Sequence, residues 1–122
     1  MMKNALKASF ETEMANAQSL LRAGLLDAAM GCLETAHVMG QGYVRPHVRT
    51  HWAMLRIAAR RGLLADAFGQ ALRIVLGAMG SAVGLVPSGN TGSSAVNMFK
   101  RMPIEPRIAA LIEQDQQRDA RA

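Results

Sequence analysis

GLLDAAMG at residues 24–31 returns as GLLADAFG at residues 62–69, 38 positions further along the chain. Each copy opens on a glycine that follows one apolar-periodic stretch and leads straight into another, the pattern of a tight turn between two helices. Ahead of the first copy, residues 4–22 carry Leu6, Phe10, Ala17 and Leu21 at helical spacing. Behind it, residues 25–39 carry Leu26, Met30 and Leu33. Gly40, Gln41 and Gly42 end this second helix, and Pro46 opens a third, where its missing N–H costs nothing. The third helix runs to Arg61, Gly62 breaks it, and residues 64–79 form a fourth. Glycine turns, small alanines and a period in the thirties read as tetratricopeptide-like hairpins. Two hairpins are too few for a solenoid, so the expected fold is all-α, a compact four-helix arrangement.

The remainder has a different character. Residues 81–105 are rich in Gly, Ser, Asn and Pro without helical period, and such a long irregular stretch is functional or draped over the core. Asn97, Phe99 and Met102 are expected to fold it back onto the helices. Residues 106–122 form a short C-terminal helix that frays into a polar tail. The chain thus reads as a single domain over 1–122, with its four-helix core in 1–80. Half of the residues are apolar and 19% are charged, which separates the chain from disordered sequences. Nine methionines read as an adaptable core before they read as soft-metal ligands. Cys32 is the one cysteine, so no internal disulfide forms, which suits a reducing compartment. With no apolar leader and no membrane-length apolar run, the expected location is the cytoplasm, away from membranes.

The net charge of +5 comes largely from arginine. Arg45, Arg49, Arg56 and Arg60 share one side of the third helix and are expected to face water. With no helix-turn-helix signature and little aromatic interleaving, they read as a solvated face rather than a nucleic-acid site. Ser88-Gly-Asn-Thr-Gly92 lacks the Gly-Lys-Ser/Thr ending of a phosphate loop and follows no strand, so it reads as a turn.

Polar residues that interrupt apolar stripes carry the functional reading. Glu13 falls within the stripe of the first helix and His37 within that of the second. His47 and His51, four residues apart, share the inward face of the third helix with Leu55 and Ala58. Antiparallel pairing about the turns near 24 and 43 brings Glu13, His37, His47 and His51 to one end of the bundle, with Glu34 bordering them. Imidazoles and a carboxylate at one interior point are what a borderline transition metal takes: Zn, Fe or Cu. The position of His47 and His51 near a helix N-terminus favours neutral, ligand-competent rings. Glu34-Thr-Ala-His37 has the Glu-x-x-His spacing of di-iron bundles, but those need two such motifs and one is present. A hydrogen-bonded polar core patch would carry the same residues, so two readings stand: a metal site, and a tetratricopeptide-like interaction module without metal. Two hairpins leave an apolar edge for a protein partner or a second copy. Cys32 points away from the histidine face and reads as packing. No catalytic arrangement is assembled, and whether the protein is an enzyme stays open. At the repeat offset Glu34 and His37 fall on Leu72 and Val75, so the polar interior of the second hairpin is expected only at the His end of the third helix.

Several segments together resemble a known family: Glu34-Thr-Ala-His37-Val-Met-Gly-Gln41, Arg45-Pro-His47-Val-Arg-Thr-His51-Trp-Ala-Met-Leu55, and Pro87-Ser-Gly-Asn90-Thr-Gly92 with Phe99 and Met102. The chain is similar over nearly its whole length to the bacterial family catalogued as domain of unknown function 3703. The resemblance implies no established activity. Its members are often encoded beside heavy-metal resistance genes, which leans toward metal handling. The family pattern carries onto Glu34, His37, His47, His51 and the Gly-Asn-Thr-Gly loop, whereas Glu13 rests on the helical wheel alone.

Overall fold

A computed structural model describes residues 2–84, 87–93, 97 and 100–121, apart from the Asp119 side chain. Among these residues there are five helices and no strand: α1 (Asn4–Arg22), α2 (Leu26–Gly40), α3 (Val44–Arg60), α4 (Leu64–Ala82) and α5 (Pro106–Arg121). The chain is an all-α helical bundle in which α1 pairs with α2 and α3 with α4, while α2 packs across to α3. The repeated turns behave alike. Gly24 and Gly62 both adopt positive φ, +79° and +69°, a conformation that a Cβ disfavours. Both then donate backwards into the preceding helix, Gly24 N to Leu21 O and Gly62 N to Ala59 O, each at 3.1 Å.

Two apolar clusters hold the hairpins. The first joins Leu6 and Phe10 of α1 to Ala36, Val38 and Met39 of α2 and Ile108 of α5. The second joins Ala17 of α1, Ala29 and Leu33 of α2, and Met54 and Ile57 of α3. Each large buried aliphatic or aromatic side chain removed from water contributes roughly 1.5–3 kcal/mol. Methionine serves as the adaptable filler expected: Met2, Met39 and Met54 are buried, and Met14 packs against both clusters.

Some boundaries differ from the sequence expectation. α3 begins at Val44, two residues before Pro46, which sits within the first turn where no intrahelical N–H is required. α4 continues to Ala82, past residue 79. α5 does not fray into a tail but stays helical to Arg121. It is anchored by Asp115, which is 5% exposed and accepts from the Lys3 backbone N–H at 2.9 Å and from the Tyr43 hydroxyl. The arginines of α3 are exposed as expected, and two of them tie α3 to α1. Arg49 makes a two-pronged ion pair with Glu11 (2.6 and 3.1 Å), and Arg60 donates to the Leu21 carbonyl at 2.9 Å. Among the described residues no helix is long and apolar enough to cross a membrane.

Candidate metal centre

His37 comes from the last turns of α2, while His47 and His51 lie one turn apart near the start of α3, so the tight 41–43 connection forces the three together. All three are buried, at 3–5% exposure, and one ring nitrogen from each lies within 4.8 Å of the others. Ring centroids are 4.6–4.9 Å apart. The imidazole convergence read from the sequence is therefore present.

The two carboxylates are not part of it. Glu13 does not join the histidines; it lies beside Cys32 of α2 instead, where its charge acts on the thiol. The repeat gives the reason. At the 38-residue offset Glu13 and Cys32 correspond to His51 and Gln70, which are themselves hydrogen-bonded at 2.7 Å. Glu13 therefore faces its own hairpin partner α2, as His51 faces α4, and the wheel alone does not say which neighbour a face meets. Glu34 is half-buried, with its carboxyl pushed up by burial, and it lies outside the three-histidine group. Cys32 packs with the second apolar cluster, and burial followed by the Glu13 charge pushes its thiol up, away from reactivity.

Each Nδ1 of the cluster is paired to an oxygen. His37 Nδ1 donates to the Asn90 carbonyl at 2.6 Å. His51 Nδ1 donates to Gln70 Oε1 at 2.7 Å, and the Gln70 amide is oriented by its own Nε2, which donates to the Gly92 carbonyl at 3.0 Å. His47 Nδ1 lies 2.6 Å from Ser81 Oγ, whose hydrogen is directed to the Gln41 carbonyl at 2.7 Å; the hydroxyl oxygen is then the acceptor. Carbonyl oxygens only accept, so these bonds assign the proton of each neutral ring to Nδ1. In His37 and His51 this leaves Nε2 as a bare lone pair, and the two Nε2 atoms face each other at 3.0 Å.

Protonation is disfavoured at all three rings. His37 is held well below its ordinary range, first by burial and then by the neighbouring His51 and His47. Burial, with His51 adding, takes His47 down to about 4 against a smaller opposing pull from the Gly77 carbonyl. Burial likewise takes His51 to about 4, with Gln70 opposing and Arg73 reinforcing the shift.

Three buried residues around the site went unread in the sequence, Gln70, Arg73 and Ser81, whereas a fourth, Asn90, lies in the loop onto which the family pattern carried. Arg73 of α4 donates to the carbonyls of Gly92 (3.0 Å) and Ser93. The polar interior of the second hairpin is therefore not confined to the start of α3, because α4 turns its polar residues inward. The signal was available: Gln70, Arg73 and Ser81 recur at helical spacing in an otherwise apolar helix.

The 87–93 segment closes the site. Asn90 is 1% exposed; its side chain donates to the carbonyls of Asn97 (2.8 Å) and Lys100 (2.7 Å) and accepts from the Gly92 N–H (2.9 Å). This pins the backbone whose carbonyl holds His37. Gly92 sits at φ +78°, and a Cβ there would lie 2.6 Å from the His37 ring. Gly77 of α4 plays the matching part for His47, where a Cβ would lie 2.9 Å from the ring. The Met102 N–H donates to the Ser88 carbonyl at 3.0 Å, a bond that ties the segment to itself rather than to a helix. Phe99 lies outside the described residues.

A family model described as "Protein of unknown function (DUF3703)" matches residues 4–112, a span that includes the three histidines and the 87–93 closure. No curated protein and no solved structure matches the chain.

Proposed function

The chain belongs to the DUF3703 family of proteins of unknown function, and we propose that its three buried histidines bind one transition-metal ion, Zn, Fe or Cu, in metal homeostasis or resistance. One observation carries this reading: two imidazole Nε2 atoms without hydrogens face each other at 3.0 Å, while both Nδ1 atoms are committed to acceptors. Two facing lone pairs repel unless a cation lies between them. A proton is a poor candidate, because burial and the like-charged neighbours favour neutral rings. A metal ion suits the same atoms, since neutral imidazole is its ligand form and no proton need be displaced near neutral pH.

The surroundings support the reading further. Histidine ligands of metals commonly donate their second nitrogen to a carbonyl or side-chain oxygen, which fixes the tautomer and raises basicity. Asn90, Ser81 and Gln70 stand in those positions. An all-imidazole set disfavours Ca and Mg, which take oxygen ligands, and suits Zn, Cu and Fe. Arg73 opposes a bare cation by its charge, so an anion completing the coordination would balance it.

Metal analysis tests the proposal, on protein purified without a nickel column and again after chelator stripping and titration. One Zn, Fe or Cu per chain is expected, with binding lost in His47→Ala/His51→Ala. Absence of stoichiometric metal in both preparations, or unchanged binding by the double variant, rules the reading out. The alternative, a tetratricopeptide-like interaction module without metal, draws on the open outer face of α4 and predicts a metal-free cluster.

A further inference from the structure

α4 is built inside out. Its buried residues are polar, Gln70, Arg73 and Ser81, whereas every residue of the helix that stands exposed is Ala, Leu, Val, Phe or Met. Leu64 is 82% exposed, Phe68 73% and Met79 63%. The exposed positions are also in register: Ala65, Phe68, Leu72, Val75, Met79 and Ala82 follow one another at alternating steps of three and four. That is the 3.5-residue repeat of a helix seam made to lie along another helix. Leu76 and Val83 widen it on one side, and no charged residue interrupts it.

We propose that this face is the self-association surface of the protein, covered in solution by α4 of a second copy across a two-fold axis. Size is the first argument. The large apolar side chains of the stripe expose on the order of 700 Å² per chain, close to the ~800 Å² per partner of a standard stable interface. Contiguous apolar patches of that size are rare on monomers. The repeat supplies the second. At the 38-residue offset Leu33, His37 and Val38 of α2 become Ala71, Val75 and Leu76 of α4. The α2 positions are buried, Leu33 and His37 against α3 and Val38 in the cluster that includes α5, whereas their α4 counterparts are exposed. Among the described residues α4 thus has one main helix partner, α3, and none lies on its apolar face. Self-complementarity is the third. A stripe without charge carries nothing that repels its own copy, and a seam of this spacing can meet itself across a two-fold axis.

The inference stands apart from the metal site, though the pairing would also seal the outer wall of the helix that holds Gln70, Arg73 and Ser81. Light scattering with size exclusion, on chelator-treated protein at micromolar concentration, tests it. The wild-type chain should have the mass of a dimer, and Leu72→Glu/Met79→Glu should be a monomer with unchanged helix content. Should the double charge prevent folding, Phe68→Ser/Met79→Ser should fold and weaken the dimer tenfold or more. A monomeric wild-type chain overturns the proposal, whether the face then binds lipid vesicles or another protein. A dimer that either variant leaves intact overturns it equally.

Discussion

α2 and α4 occupy the same place in the repeat and enter from equivalent glycine turns, yet they solve burial in opposite ways. α2 is enclosed by α1 and α3, keeps Ala29, Leu33 and Ala36 inside, and tolerates one buried ring, His37, because a carbonyl and two other rings receive it. α4 has one major helix partner, α3; it gives that partner its polar residues and leaves its apolar ones outside. The difference teaches that a buried polar cluster reorganises its neighbours. Three histidines placed at the start of α3 and the end of α2 require acceptors; the facing helix supplies two of them, Gln70 and Ser81, and the 87–93 segment supplies the third.

If so, acid should act on the shared site before anything else. The three histidines ionise freely when unfolded, near 6.5, but are held lower when folded, His47 and His51 at about 4. Between those values the unfolded chain binds more protons, so stability falls as pH drops from 6.5 toward 4. Each histidine contributes at most about 1.4 kcal/mol per pH unit, and together they should remove several kcal/mol. Arg73, the charged group facing two of the rings, stays protonated throughout and adds no slope of its own. Urea unfolding of metal-free protein across this range checks the sign; stability that is flat or rising as pH falls would break the account.

The contrast between the helices sharpens under substitution. Leu33→Ala removes a side chain that is 2% exposed and should cost about 2–5 kcal/mol. Leu64→Ala, on the open end of α4, should cost the isolated chain no more than ~0.5 kcal/mol. Denaturation at high dilution separates the two, and equal costs would mean that α4 is enclosed within one chain after all. Gly92→Ala combines positive φ with a collision against His37, so about 1–3 kcal/mol should be lost, together with the His37–Asn90 alignment. Gly31→Ala in α2 meets only open space in a helix interior and should gain about 0.5–1 kcal/mol. A loss there would show that α2 is more tightly enclosed than its glycine indicates.

The helices and their turns were legible because apolar spacing and Gly24 and Gly62 are local signals. The histidine convergence was legible because His47 and His51 share a face and one tight turn separates them from His37. Glu13 was misplaced since periodicity fixes a face but not the neighbour it meets, and in each hairpin that face meets its own partner helix. Gln70, Arg73 and Ser81 were missed for a related reason. In a helix that is mostly apolar the apolar side reads as the buried one, and the shared face of Gln70, Arg73 and Ser81 gains its meaning once the imidazoles beside it are seen to need polar partners. The Asn90 loop was marked by the family pattern, but its bond to His37 was not, because that bond uses a backbone carbonyl, a group every residue has.

The central claim is that bare Nε2 atoms converge, and the nitrogen-15 spectrum of the histidine side chains reads it directly. In metal-free protein at neutral pH, His37 and His51 should each show a protonated Nδ1 and an unprotonated Nε2. One equivalent of Zn should then shift Nε2 of all three rings and leave Nδ1 protonated. Protonated Nε2 atoms on His37 or His51, or Nε2 signals that do not move with Zn, would contradict it.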